Sequence, residues 1–222
     1  VQGDPMLARL TFILTLATAP MALAQEPPAA TAEQIASARA IAAKLIRDAG
    51  ADGVFVDKTT GALAEVEHIA SGLRCTFSGG PNDRIAIFPP VGGLPRGDDV
   101  GCTSLDEALD LDMSLYATRY RPLPSEAAVL ADASRAITQR FGQATPFTGE
   151  TVSVSSEEQS PPLFAGFKVV MQGEEKLTMV LVSHRGEWGF KARATGPYEN
   201  AMAVSLYAAI LFEGALTHRA AD

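Results

Sequence analysis

The chain has 222 residues, a hydrophobic content of 47% and a formal net charge of −8 at pH 7. This length and composition are sufficient for a folded domain with its own core. An acidic chain without a cluster of Lys and Arg is a poor candidate for binding nucleic acid or an anionic membrane surface, so we expect neither as a partner.

The N-terminal residues have the pattern of a secretory signal peptide. Arg9 supplies a positive charge, residues 10–17 (LTFILTLA) form an apolar run, and Ala22-Leu23-Ala24 is a small-x-small cleavage site. The apolar run is shorter than the about 20 residues that a membrane-spanning helix requires, and an uncleaved N-terminal anchor is the alternative. We therefore expect residues 1–24 to be a signal peptide, with residues 1–5 as extra residues upstream, and the mature protein to be periplasmic or secreted.

We interpret residues 25–30 (QEPPAA) as a linker and expect residues 31–222 to form a single domain. Thr31 and Gln34 have the spacing of a capping box, which predicts a helix that ends near Gly50. A strand, a turn at Thr60-Gly61 and a second strand are predicted over residues 54–69.

Short strands are predicted in the middle of the chain, at residues 73–77, 85–88, 100–102 and 113–120, because apolar residues alternate there. A helix capped by Ser125 follows. Its apolar stripe has helical spacing and consists of Leu130, Ala133, Ile137 and Phe141.

In the C-terminal third, the sequence predicts a meander of strands at residues 164–172, 177–184 and 188–195, with a candidate edge strand before it at 151–155. The short connections require antiparallel neighbours. Residues 200–216 predict a helix that is apolar nearly all round and lies on the sheet, so we expect no transmembrane segment after signal cleavage. Runs of strands with helices set apart indicate an α+β fold, a mainly antiparallel sheet with helices packed on it.

Cys75 and Cys102 are the only cysteines. An exported protein meets oxidising conditions, in which disulfides form and persist, so we predict an intrachain disulfide between them. A reactive thiol at Cys75, close in sequence to His68, is the alternative. The two cysteines and the histidines His68, His184 and His218 match no compact zinc spacing, so we expect no metal and no cofactor.

Three cations are the candidate binding residues. Lys191 and Arg193 alternate on the last predicted strand, so both project from one face while Phe190 and Ala192 project from the other. Arg119 lies at the end of the predicted strand at 113–120, and Arg binds carboxylate or phosphate through its bidentate fork. We predict that Arg119, Lys191 and Arg193 form the contact with an anionic ligand. The alternative is a polar outer face whose cations pair with Glu side chains.

Two other groups of residues are candidates for binding. The aromatic residues Tyr116, Tyr120, Trp188 and Tyr198 are candidates for a recognition surface or for core packing. A calcium site would need alternating ligands with a Gly and a terminal Glu, which the acidic stretch does not have, so a solvated acidic loop is favoured. That stretch consists of Asp98, Asp99, Asp106, Glu107, Asp110 and Asp112.

Catalytic residues are unknown from the sequence. The G-x-S-x-G, H-E-x-x-H, Walker and Rossmann patterns are all missing from it. Catalytic triads need not be local in sequence. A secreted hydrolase with a dispersed active site around His68 and Asp98 or Asp99 is therefore the alternative function.

The fragments GLRCTF, DVGC, LYATRY and WGFKARATGPYENA resemble those of small exported α+β proteins of proteobacteria to which no activity has been assigned. The order of elements also resembles the Mog1/PsbP-like fold, whose members often act as accessory or binding proteins. This resemblance implies a soluble periplasmic binding or accessory protein of the cell envelope. Its partner would be an envelope protein or a small anionic ligand.

Overall fold

The structure is a computed structural model that describes residues 29–90, 95–151, 154 and 160–216. The predicted signal peptide and its cleavage site lie outside the described residues. So do most of the predicted linker and most of the predicted edge strand at 151–155.

The chain forms three α-helices and ten strands within this part. The helices are α1 (Ala32–Asp48), α2 (Glu126–Arg140) and α3 (Ala201–Leu216), with a 3-10 turn at Tyr198–Asn200. The strands in the first half are β1 (Phe55–Asp57), β2 (Ala64–His68), β3 (Arg74–Phe77), β4 (Arg84–Ile87), β5 (Asp99–Asp106) and β6 (Leu111–Arg119). Those in the second half are β7 (Thr145–Pro146), β8 (Leu163–Met171), β9 (Glu174–Arg185) and β10 (Trp188–Pro197).

The strands form two sheets in which all pairings are antiparallel. The smaller sheet has the order β1-β2-β3 and the larger has the order β4-β5-β6-β10-β9-β8-β7. The predicted α+β class with a mainly antiparallel sheet is thus confirmed. Strand β7 was not predicted, because two residues are too few to show a period of two.

Local signals in the sequence explain where the helices begin and how the meander turns. The capping box at the start of α1 is formed, with Thr31 and Gln34 each bonding the other's backbone N–H. Ser125 caps α2 by accepting from the Ala128 N–H. Strands β8 and β9 are joined by Gln172 and Gly173, both at positive φ (54° and 86°), as expected for a two-residue hairpin turn.

The larger sheet has a core face and a polar face. The core face carries buried residues at alternate positions, among them Val100, Leu115, Ala117, Phe190 and Ala192. The main hydrophobic core joins this face to α1, to α3 and to the smaller sheet. The polar face carries the intervening residues, which include Asp99, Tyr116, Lys191 and Arg193.

Helix α2 packs on the polar face, where it covers β8 and β9. Its buried residues Ala133 and Ile137 lie in a second hydrophobic cluster with Phe167, Val180 and Val182. Its residues Asp132 and Arg140 are close enough to β10 and β6 for their charges to act on Lys191 and Asp112. Helix α3 lies on the opposite side of the sheet, as predicted, where it contacts β10 and β9. The expectation that it is buried all round is wrong, because Met202, Tyr207, Ile210 and Leu211 are exposed.

The predicted disulfide is present between Cys75 on β3 and Cys102 on β5, with a Cα–Cα distance of 6.4 Å. It joins the smaller sheet to the core face of the larger one across a separation of 27 residues. Neither described cysteine is free, so the alternative of a reactive thiol is not supported. Among the described residues, no helix is long and apolar enough to cross a bilayer.

Candidate functional site

Strand pairing decides where the predicted binding residues lie. Lys191 is paired with Tyr116 and Arg193 with Ser114, so both cations project from the polar face beside β6. Phe190 and Ala192 are buried in the core on the other face, as the alternation predicted. Lys191 and Arg193 are half-buried rather than freely exposed. The two cations therefore stand side by side on a sheet surface that is partly shielded from water.

The environment of Lys191 combines an aromatic ring with a neighbouring like charge. Its Nζ lies 4.7 Å from the centroid of the Tyr116 ring, which in turn stacks against Phe88 at 6.1 Å. Burial lowers the pKa of Lys191, and the guanidinium of Arg193 lowers it further, while Asp99 and Asp132 act in the opposite direction. Neither Lys191 nor Arg193 makes an ion pair with any described residue.

A cross-strand row on the polar face contains further polar groups. Arg84 on β4 is paired with Thr103, Thr103 with Ser114, and Ser114 with Arg193. The hydroxyls of Thr103 and Ser114 are 3.0 Å apart and both residues are buried. We call Arg84, Thr103, Ser114 and Arg193 the hydroxyl row. It places two guanidinium groups at the ends of a buried hydroxyl pair.

Two carboxylates, Asp99 and Asp112, lie on the polar face on either side of Lys191 and Arg193. Burial raises the pKa of Asp99, and the hydrogen bond from Thr118 at 2.8 Å and the charge of Lys191 partly offset the rise. Burial also raises the pKa of Asp112, while the charges of Arg84 and Arg140 lower it and partly offset the rise. Both carboxylates are near the cations, but neither forms an ion pair with a described residue.

Arg119 does not lie with the other two predicted cations. It is paired with Trp188 and has the strand parity of Ala117, so its side chain belongs to the core face. Its Nε donates to Glu187 Oε2 at 2.8 Å, its Nη1 lies 3.9 Å from Asp98 Oδ1, and its guanidinium carbon is 6.0 Å from the Trp188 ring centroid. The predicted three-residue contact is corrected on this point, because β6 places Arg119 on the face opposite Lys191 and Arg193.

His68 is buried between two aromatic rings. Its ring centroid lies 5.2 Å from that of Phe55 and 5.3 Å from that of Trp188, and Nδ1 is 2.7 Å from the Ser71 hydroxyl oxygen. Burial lowers the pKa of His68 to about 4, although a backbone hydrogen bond at Gly97 and the charge of Asp98 act in the opposite direction. The imidazole is therefore neutral at ordinary pH.

The carboxylates of the hydrolase alternative lie on different faces. Asp98 is buried near His68, and its Oδ2 has no hydrogen-bond partner among the described residues. Asp99 follows it in the strand and projects from the polar face beside Thr118. Only Asp98 is thus close to His68, and the structure shows no hydrogen bond between these two described side chains. Ser71 lines an adjacent cavity of about 280 Å³ with Trp188, Phe190 and Leu216.

The other candidate groups are dispersed. Trp188 is buried on the core face, and Tyr198 packs against Phe147, so neither joins Tyr116 and Tyr120 in one aromatic surface. Asp106 accepts from the N–H groups of its own turn, and Asp110 forms an ion pair with Lys176 at 2.7 Å. Within the described part of the chain, no group of three or more His, Cys, Asp or Glu is arranged to hold a metal.

Comparisons with known proteins give little further information. No protein-family model and no curated protein matches the chain. Among solved structures, the chain is similar to LpqN of Mycobacterium tuberculosis, a protein involved in cell envelope biogenesis. The identity is 12%, the TM-score is 0.33, and the alignment covers 62% of this chain and 85% of that one. We draw no functional conclusion from a similarity of this size.

Proposed function

We propose that this protein binds an anionic ligand on the polar face of its larger sheet, with Lys191 and Arg193 as the contact residues. The proposal rests on the surroundings of these two residues. The two cations are neighbours on one strand, are half-buried, and make no ion pair with any described residue. We further propose that the protein acts as a binding or accessory protein of the cell envelope.

The physical basis is the unfavourable energy of holding like charges together away from water. Lys191 and Arg193 are about 7 Å apart along the strand, and each loses hydration through partial burial. The lowered pKa of Lys191 reflects both effects. An anion placed between them would reverse the repulsion and replace lost water, and the fork of Arg193 suits the two oxygens of a carboxylate or phosphate.

The location in the envelope is supported by two features. The signal-peptide pattern predicts export, and the Cys75–Cys102 disulfide is typical of proteins that mature in an oxidising compartment. The resemblance to small exported proteobacterial proteins, and to the Mog1/PsbP-like order of elements, agrees with this location and stays a prediction. A periplasmic or secreted protein with an envelope protein or a small anionic ligand as its partner fits these features.

The test is binding of inorganic phosphate and of acetate, measured by calorimetry at constant ionic strength. Replacing both contact residues, Lys191→Met with Arg193→Gln, keeps most of each side chain's apolar stem and removes both charges. We expect affinity for both ions to fall by about tenfold or more. The matched control is Arg119→Gln, which removes a cation from the opposite face and should leave both affinities unchanged. Equal binding by the double variant and the wild type would contradict the proposal.

A second candidate function, hydrolysis, is favoured by one observation. The Ser71 hydroxyl lies 2.7 Å from His68 Nδ1 at the edge of a cavity. Ser71 would be the nucleophile and His68 the general base. However, a base is most effective with a pKa near the working pH, and burial holds the pKa of His68 at about 4. The same contact also satisfies a buried imidazole, which is its simpler explanation.

A further inference from the structure

The hydroxyl row contains a third cation that extends the proposed site. Arg84 is exposed on the edge strand β4 and is in register with Arg193 through Thr103 and Ser114. Three strand spacings separate the two arginine Cα atoms, which is about 14 Å. Side chains of this length can reach the hydroxyl pair from both ends, and Lys191 lies one row away along β10.

The charges that face this region leave a positive excess. The cations are Arg84, Arg140, Lys191 and Arg193, and the carboxylates are Asp99, Asp112 and Asp132. Asp132 forms an ion pair at 2.5 Å with Arg135 of its own helix, which adds a fifth cation. Three carboxylates therefore oppose five cations. The region has two uncompensated positive charges, which is the charge that a dianion would neutralise.

The donors also fit a tetrahedral group better than a planar one. A carboxylate has two oxygens, which one arginine fork satisfies. A phosphoryl group has three terminal oxygens and a charge near −2, so it accepts from several donors at once. The hydroxyl row offers a guanidinium on each side and, between them, a pair of hydroxyls whose mutual bond uses only one of the two O–H groups.

We propose, on the basis of the anion-binding function above, that the natural ligand carries a phosphoryl group that is held between Arg84 and Arg193 over Thr103 and Ser114. Two sources of such a group are a soluble phosphate ester and a phospholipid headgroup. The net charge of −8 opposes approach to an anionic bilayer, so we assign the soluble ester.

The experiment compares inorganic phosphate, glycerol phosphate and acetate as probes for the wild type and for Arg84→Gln. We expect phosphate and glycerol phosphate to bind at least about tenfold more tightly than acetate. Arg84→Gln should weaken both phosphate probes by about tenfold and change acetate affinity by less than about twofold. Arg47→Gln, which removes an equal charge from an exposed position on α1, is the matched control and should behave like the wild type.

The outcomes separate the two proposals. If Lys191→Met with Arg193→Gln weakens binding, but phosphate binds no more tightly than acetate and Arg84→Gln has no effect, the anion site stands and the phosphoryl assignment is wrong. If the double variant has no effect on any probe, the site itself is wrong. Co-sedimentation with phosphatidylglycerol vesicles that is lost in Arg84→Gln, without binding of glycerol phosphate, would overturn the assignment to a soluble ester.

Discussion

Lys191 on β10 lies directly across from Tyr116 on β6, with its ammonium nitrogen 4.7 Å from the centroid of the ring. The face of an aromatic ring attracts a cation without neutralising it. Tyr116 therefore offsets part of the hydration that Lys191 loses on burial. A carboxylate in the same place would have formed an ion pair, whereas the ring leaves the positive charge available to a ligand.

Anion binding should strengthen as the pH falls below neutrality. Asp99 and Asp112 have raised pKa values, so each takes up a proton at a higher pH than an ordinary aspartate, and its negative charge beside the site is then lost. Arginine side chains in general stay protonated throughout this range. The measurement is the affinity for sulfate, whose own charge is constant, at several pH values. Replacing both carboxylates, Asp99→Asn with Asp112→Asn, should make this pH dependence flat, and an unaltered slope would contradict the explanation.

Burial of neutral His68 should make the protein sensitive to acid. Its folded-state pKa of about 4 is below the ordinary histidine value of 6.5, so the unfolded chain binds the proton more readily. The free energy of unfolding is therefore highest above pH 6.5, and it decreases as the pH falls towards 4. The decrease is about 3 kcal/mol, because the two pKa values differ by about 2.5 and a difference of one corresponds to about 1.36 kcal/mol.

The check is urea denaturation of the wild type and of His68→Gln across this pH window. The variant has no imidazole, so the wild type should lose about 3 kcal/mol more unfolding free energy than the variant between neutral pH and pH 4. Subtracting the variant's loss of unfolding free energy from that of the wild type removes the contributions of other titrating groups. Parallel stability curves would show that His68 is not held neutral by the fold.

Removal of the disulfide should lower stability without altering binding. A bond closing a loop of 27 residues stabilises the fold by roughly 3–4 kcal/mol on the chain-entropy model. Cys75→Ser with Cys102→Ser should therefore lower the melting temperature by roughly 7–14 °C. Both cysteines lie on the core side of the sheet, so affinity for phosphate should be unchanged. A native protein that is alkylated without reductant would contradict the oxidised state.

Ser71 should not react with a fluorophosphonate probe. Its hydroxyl bonds a histidine whose pKa is about 4, and it also accepts the Leu73 N–H at 3.2 Å, so it is a structural hydroxyl. The measurement is intact-protein mass spectrometry after incubation with the probe, with Ser71→Ala as the control. Stoichiometric labelling of the wild type that is lost in Ser71→Ala would instead support the hydrolase.

The sequence predicted individual helices and strands better than it predicted how the strands pair. Alternation placed Phe190 inside and Lys191 outside, and capping residues located the start of α1 and α2, because these signals act within one element. The grouping of Arg119 with Lys191 and Arg193 is wrong, because Arg119 has the strand parity of Leu115 and Ala117 and therefore projects from the core face. The sequence shows this parity, but it does not show the register of β10 with β6 that puts Arg119 across from Trp188.

The hydroxyl row was missed for the same reason. Arg84, Thr103 and Ser114 lie on three strands, and each is an ordinary polar residue in its own segment. Only the registers of β4 with β5, and of β5 with β6, bring them into line with Arg193. The period of two in "DRIAIF" and "GCTS" gives the face of each residue, but strand order and register depend on the packing of distant segments.

The anion site is tested most directly by mapping amide chemical shifts during a titration with phosphate. The proposals together predict that the largest shift changes are on this part of the polar face, at Arg84, Thr103, Ser114, Lys191 and Arg193. They should saturate together and disappear in the variant with Lys191→Met and Arg193→Gln. Saturable changes centred instead on Ser71 and Trp188, or on the core face around Arg119, would contradict the anion site.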